Sequence, residues 1–260
     1  MRITELYLYP VKSCRGIAVS SVRVGRRGPA GDRRFMVVDR AGEFITQRQE
    51  PRLALVDAAF AGDRLVLSTG HEEITVPRAP TDGPEASVRV WGSKVRAIEV
   101  ADGSSFFTTH LERPARLVYM PDESERAVNP ERSLPGDIVS FADAYPLLLI
   151  SQESLDGLNA RLAEPLTMSR FRPNVVIGGG VAHGEDDLES FRMGKMTFRN
   201  VKPCERCSMT SVDASTAKRG KEPLRTLGTY RKWDGQVWFG TNLIHDGEGE
   251  LAVGDPVTPF

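Results

Sequence analysis

The stretch Val201-Lys202-Pro203-Cys204-Glu205-Arg206-Cys207-Ser208-Met209-Thr210-Ser211-Val212-Asp213 carries two cysteines three positions apart. A β-type run, Met196 to Val201, leads into it, and the β-favouring SMTSV follows it. The pair therefore sits between strand-like segments. A thioredoxin-type dithiol would instead open a helix. Three chemistries remain open for the two thiols. They can be small, partly buried hydrophobes. They can be half of a zinc site, which needs two more ligands; Cys14 and the scattered His71, His110, His183 and His245 form no second ligand motif. They can include a reactive thiolate, which the neighbouring Lys202 and Arg206 would favour.

Outward from this segment the same strand grammar repeats. Ile3 to Tyr9 alternates polar and apolar residues, as a half-buried strand does. Short runs at 35–39, 64–68, 87–91, 95–100, 116–120, 137–141, 147–150, 174–177, 196–201, 237–239 and 256–258 are separated by turn-forming Gly, Asp, Asn and Pro. Two helices interrupt them. Ser151 to Leu162 opens on a capping serine and aligns Leu155, Leu158 and Leu162 on one face. Glu222 to about Tyr230 places Pro223 at a first helical position. A shorter helix is expected at 104–110, and the polar, aperiodic Pro121–Arg126 reads as a boundary or long loop. The class is a β-rich α+β fold built on barrels or sandwiches.

Composition narrows the function classes. In 260 residues, 40% apolar and 27% charged content supports a sizeable core. A net charge of −1 argues against a strongly cationic nucleic-acid binder. No run of about 18 apolar residues offers a membrane span, and no apolar signal region follows the start. Three cysteines make no disulfide framework. A cytoplasmic protein is expected.

Four further clusters carry groups able to hold an anion or a heterocycle. Tyr9-Pro10-Val11-Lys12-Ser13-Cys14-Arg15-Gly16 offers an ammonium, a hydroxyl and turn N–H groups, without P-loop spacing. Gly31-Asp32-Arg33-Arg34 leads two arginines into an apolar strand, where only one can face a given pocket. Arg170-Phe171-Arg172-Pro173-Asn174 sets a guanidinium and an amide before a strand. Thr46-Gln47-Arg48-Gln49-Glu50-Pro51-Arg52 has a similar character. Each alone also reads as a solvated strand end. Gly178-Gly179-Gly180 follows a strand, but no helical pattern follows it, so it is no dinucleotide fingerprint.

Taken in order, LYPVKSCRG, GDRRFMVVD, FITQRQEPRL, FADAYPLLLISQESLDGLN, FRPNVVI and VKPCERCSMTSVD, with KEPLRTL, FGTNLI and VGDPV in the tail, resemble the MOSC superfamily. The similarity is to the branch with an N-terminal MOSC β-barrel, which includes the mitochondrial amidoxime-reducing components and their bacterial counterparts. It runs from about Tyr9 to Val257.

The resemblance implies an N-terminal MOSC β-barrel domain over 1–120 and a MOSC β-barrel domain with peripheral helices over 121–260, the site lying between them. It implies a mononuclear molybdenum cofactor (Mo-molybdopterin) with Cys207 as metal ligand and catalytic residue. By position, Lys12, Ser13, Arg34, Arg172, Asn174, Glu205 and Arg206 fall where the family holds the cofactor. Asp143 matches an acidic position, and Ala144 departs from members carrying a hydroxyl. The implied reaction removes oxygen reductively from amidoximes, hydroxylamines and N-hydroxylated base analogues. Some relatives carry a C-terminal ferredoxin domain. Three cysteines cannot hold a four-cysteine cluster, so electrons are expected from a separate ferredoxin-, flavodoxin- or cytochrome b5-like donor, with no nucleic-acid or membrane partner. Two other roles go with MOSC domains: sulfur transfer to the molybdenum cofactor through a Cys207 persulfide, and non-enzymatic cofactor carriage.

Overall fold

Alternation decides most of the elements. In Glu85–Val90, Ala86, Val88 and Val90 are buried while the residues between them face solvent, as in a strand with one wet face. Phe35–Val38 is buried on both faces, which its unbroken apolar run anticipates. The computed structural model describes residues 1–260 and contains four sheets. The largest has nine strands; its main path runs Val257–Pro259, Ser190–Met193, Met196–Glu205, Gln236–Asp246, Leu147–Ser151, Val175–Gly178, Arg2–Leu8 and Ile17–Val19. A four-stranded sheet orders Phe35–Val38, Arg116–Tyr119, Ser93–Val100 and Glu85–Val90. Asp57–Ala61, Arg64–Ser68 and Glu73–Pro77 form a meander, and Ser21–Gly25 lies between Gly249–Ala252 and Gly28–Pro29.

The helices are α1 (Ala101–Leu111), α2 (Gln152–Asn159) and α3 (Leu224–Leu227). Leu147–Ser151 pairs in parallel with Val175–Gly178, and α2 lies in the crossover that such a pair requires. Ser151 caps α2 by accepting from Ser154 N at 3.1 Å. The helix stops at Asn159, short of the expected 162, because Ala160 to Leu162 continue only as a turn. α1 is longer than the expected 104–110, and α3 is much shorter than 222–230, closed by Gly228. No helix is long and apolar enough to cross a membrane.

One expected strand is absent. At 137–141 only Ala127↔Ile138 forms a bridge. The backbone there is committed to other loops: Val139 N donates to Arg126 O at 2.9 Å and Phe141 N to Arg33 O at 2.9 Å. That commitment brings the following 141–145 turn towards Arg33.

The sheets do not separate at one point along the chain. Arg2–Leu8 pairs with Val175–Gly178 and Ser21–Gly25 with Gly249–Ala252, so the first 25 residues pack with the C-terminal half. Between Arg2–Leu8 and Ser21–Gly25, the loop around Val11 reaches the four-stranded sheet through the parallel bridge Val11↔Phe35. Two main cores result. One gathers Phe35, Phe106, Phe107 and Leu117; the other gathers Leu6, Leu149, Ile177 and Phe198. Each such side chain contributes roughly 1.5–3 kcal/mol on burial. The 9–16 loop, tied to both, is therefore held from two sides.

Candidate functional site

Five segments from distant parts of the chain converge on one cleft of about 120 Å³. It is lined by Lys12 and Ser13, by Arg33, by Ala142–Tyr145, by Arg170–Arg172 with Asn174, and by Cys204–Cys207. A second cavity of about 450 Å³ shares Arg170 and Arg172 with it and extends past Arg15, Gln47 and Ser215.

The floor of the cleft is a buried polar network. The Arg33 and Arg172 guanidiniums lie 4.2 and 4.3 Å from the Tyr9 ring centroid. Asp32, 2% exposed, pairs with Arg33 at 2.6 Å and accepts from Tyr9 N at 2.9 Å. Asn174 completes the set. Its Oδ1 accepts from Arg33 at 2.9 Å and from Leu148 N at 3.3 Å; its Nδ2 donates to Asp32 at 3.0 Å and to Tyr7 O at 3.3 Å. Both ends of the amide are thus engaged by protein, so Asn174 fixes Arg33 and has no spare group for a heterocycle.

Lys12 is buried, its Nζ donating to Phe141 O at 2.9 Å and pairing with Asp143. Burial pulls the Lys12 ammonium below its ordinary range, while Asp143 opposes that shift. Burial pushes Asp143 up, but Lys12, Arg48 and the Trp91 N–H more than offset it and hold the carboxyl below the usual range. Ser13 adopts a left-handed backbone, φ +69°, and its Oγ is buried without a partner. Arg172 is left-handed too, at φ +60°, and donates to Cys14 O at 2.6 Å. Burial lowers its guanidinium to about 10. Arg206 donates to Phe171 O at 2.5 Å and to Cys204 Sγ at 3.0 Å, while its Nε is buried and unpartnered.

The cation beside Cys207 is not a sequence neighbour. Arg206 serves Cys204; Lys202 lies over the Trp238 ring, 5.5 Å from its centroid. The group at Cys207 is Arg48, whose Nη1 is 3.5 Å from Sγ. Arg48 also lies over Trp91, 4.9 Å from its centroid, and Trp91 Nε1 donates to Asp143 Oδ1 at 3.2 Å. This arch of Arg48, Trp91 and Asp143 stands at the cleft mouth, with Trp91 48% exposed.

Two expected positions fall differently. Arg34 is not at the cleft. It donates from Nε to Met120 O at 3.0 Å and pairs with Asp122 at 2.8 Å. Arg33 faces the cleft instead, because its φ of +47° lies outside the strand, which begins only at Phe35. Glu205 is exposed at the rim, and its carbonyl lies 3.7 Å from Cys204 Sγ. No three His, Cys, Asp or Glu side chains gather as they would around an ion held by protein alone. A metal at Cys207 would need further ligands brought by a cofactor.

Residues 1–114 match the MOSC N-terminal beta barrel domain and residues 136–258 the MOSC domain. The chain is 33% identical to the human mitochondrial amidoxime-reducing component 1, covering 98% of this chain and 82% of that protein. The chain belongs to the MOSC family. Another relative, the rat mitochondrial amidoxime reducing component 2, is 35% identical over the same shares. The MOSC fold with its N-terminal barrel, β-rich with few helices, is thereby shown for this chain. Molybdenum-cofactor binding and a reductase role are what this MOSC family carries.

The three thiols of this MOSC protein should separate by reactivity. Cys14 is buried in the first core, and burial pushes its thiol up to about 12. Cys204 and Cys207 are partly exposed. At mildly alkaline pH a thiol-titrating reagent should therefore count two groups in the native apoprotein and three after denaturation. Rapid native labelling of Cys14 would contradict this packing.

Proposed function

We propose that this MOSC protein holds a mononuclear molybdenum cofactor in the cleft through the Cys207 thiolate and reduces N-hydroxylated compounds, among them amidoximes, hydroxylamines and N-hydroxylated base analogues. The carrying observation is the convergence of Lys12, Arg33, Arg172 and Arg206 on one cleft with Cys207 at its edge. The names of the relatives supply the amidoxime class.

The residues suit the group. A pterin dithiolene with a phosphate is an anion with hydrogen-bonding edges. The cleft presents two buried donors with nothing to bond, Ser13 Oγ and Arg206 Nε, and such orphans call for a ligand. Bound there, the cofactor would supply a two-electron metal couple able to accept the oxygen of an N–O bond. Cys207 would give the soft ligand that such a metal favours, and Arg48 balances the thiolate charge. Ser13, Arg172 and Arg206 would hold the anionic and hydrogen-bonding parts, while Lys12, tied to Asp143, sets the mouth. Asp143, kept ionised, orients Lys12 and Trp91 and is no proton donor; protons enter from water at the open mouth. Electrons come from a separate donor protein.

Protein made in a host competent for molybdenum cofactor synthesis should convert benzamidoxime to benzamidine with reduced methyl viologen. It should not do so with NADH alone. Failure with viologen contradicts the reductase reading; direct turnover with NADH contradicts the separate donor.

A further inference from the structure

The loop after the second cysteine carries charge that the cleft does not use. In a chain with a net charge of −1, Lys218, Arg219 and Lys221 place three cations within four positions, all exposed. Their neighbours have acidic partners: Arg170 pairs with Asp213 at 2.8 Å and Arg225 with Glu222 at 2.6 Å. Arg219 instead donates only to carbonyls, to Arg48 O at 2.6 Å and Gln49 O at 3.5 Å. Lys218 and Lys221 make no ion pair. Together these residues rim an open groove of about 410 Å³.

The loop is fixed and close to Cys207. Asp213 N donates to Lys218 O and Gly220 N to Ser211 O, each at 2.8 Å, and Val212 bridges Arg219. Arg219 is bonded to the backbone of Arg48, whose side chain reaches Cys207 Sγ at 3.5 Å. A single residue thus stands between the patch and the sulfur. We propose that Lys218, Arg219 and Lys221 form the docking surface for the acidic face of a one-electron or flavin carrier protein that delivers electrons to the site. This rests on the reductase reading above and names its partner surface. A small-anion site would gather its donors inward. Here three exposed cations line an open groove, and neither lysine has an acidic partner, which suits long-range steering of a larger acidic surface into a transient encounter.

The test uses the holoprotein and two acidic probes, a flavodoxin and a [2Fe–2S] ferredoxin, with affinity followed by titration calorimetry across ionic strength. The double variant K218E/K221E should weaken binding of the better probe at least about tenfold and flatten its salt dependence. K195E, at the far end of the strand Met196–Glu205, should leave binding unchanged and controls for net charge. Viologen-driven benzamidoxime turnover should stay within about twofold of wild type, since surface substitutions away from the site perturb little. The proposal is overturned if neither probe binds the wild type, if the double variant binds as well as the wild type, or if K195E weakens binding equally. A raised KM for benzamidoxime with viologen in the double variant would overturn it too, by assigning the patch to substrate. The binding arm stands apart from turnover, so loss of viologen activity in the wild type would strike the reductase reading instead.

Discussion

Cys207→Ser should fold as the wild type does and lose benzamidoxime reduction. The fold should survive because Cys207 Sγ makes no capping hydrogen bond to the turn Ser208–Ser211 that follows it. An oxygen in place of sulfur also changes little volume, so the stability change should stay within about 1 kcal/mol. The activity should fall by well over 100-fold, beyond the roughly 10–100-fold typical of residues that only support a metal ligand. A hydroxyl is a hard, weakly acidic donor and a poor replacement for a soft thiolate. Cys204→Ser is the control. Its sulfur accepts from Arg206 at 3.0 Å, and a serine oxygen can take over that bond, so most activity should remain. Equal losses in the two variants, measured with reduced viologen as donor, would remove the distinction between the cysteines.

The largest stability effect is expected at Asp32→Ala. Asp32 is the buried counter-charge of Arg33 and accepts from Tyr9 N and Asn174 as well. Its removal leaves Arg33 beside Arg172 over one tyrosine ring with no acid between them. Breaking a buried pair from one side costs about 3–5 kcal/mol, because the remaining charge stays desolvated. Asp32→Asn keeps an oxygen for Tyr9 N and Asn174 and should lose less than the alanine; its loss relative to wild type reports the broken Arg33 pair, and the further loss in the alanine reports those two hydrogen bonds and the lost volume. Urea unfolding of the three proteins measures both. A loss under about 1 kcal/mol for the alanine variant would mean that the network does not hold the cleft floor.

Much of the architecture is legible in the chain because strand burial writes itself as alternation. Arg64–Ser68 is read with its exact bounds from its apolar run, and Glu85–Val90 is read two residues late at its start and one at its end, as 87–91. The run at 137–141 has the same composition and forms no strand, since its donors go to Arg126 and Arg33, partners that local pattern cannot name. The choice between Arg33 and Arg34 fails for a related reason. Strand alternation governs from Phe35 onward, and the residue that enters the cleft lies just before it, in a left-handed turn. The Gly31-Asp32 pair, a turn signal, is the available hint.

The strand Met196–Glu205 leads into the cysteines as their upstream flank predicts, but the β-favouring SMTSV forms a 3-10 turn at Ser208–Ser211 and no second strand, so only the segment before the pair was legible. The charged partners of the cysteines were not. Lys202 and Arg206 stand beside Cys207 in sequence, yet Arg48 is the residue at its sulfur, brought by a contact spanning 159 positions. Trp91 likewise has no motif around it; only the fold sets a hairpin tip at the cleft mouth. Asn174 shows the converse case. Its type suits a heterocycle, but its surroundings consume every hydrogen bond that it can make.

The decisive measurement is X-ray absorption at the molybdenum edge of wild-type protein and Cys207→Ser, both loaded in a cofactor-competent host. Direct ligation requires the serine variant to show one sulfur neighbour fewer around the metal. An unchanged sulfur shell, or wild-type protein that takes up no molybdenum, would contradict it.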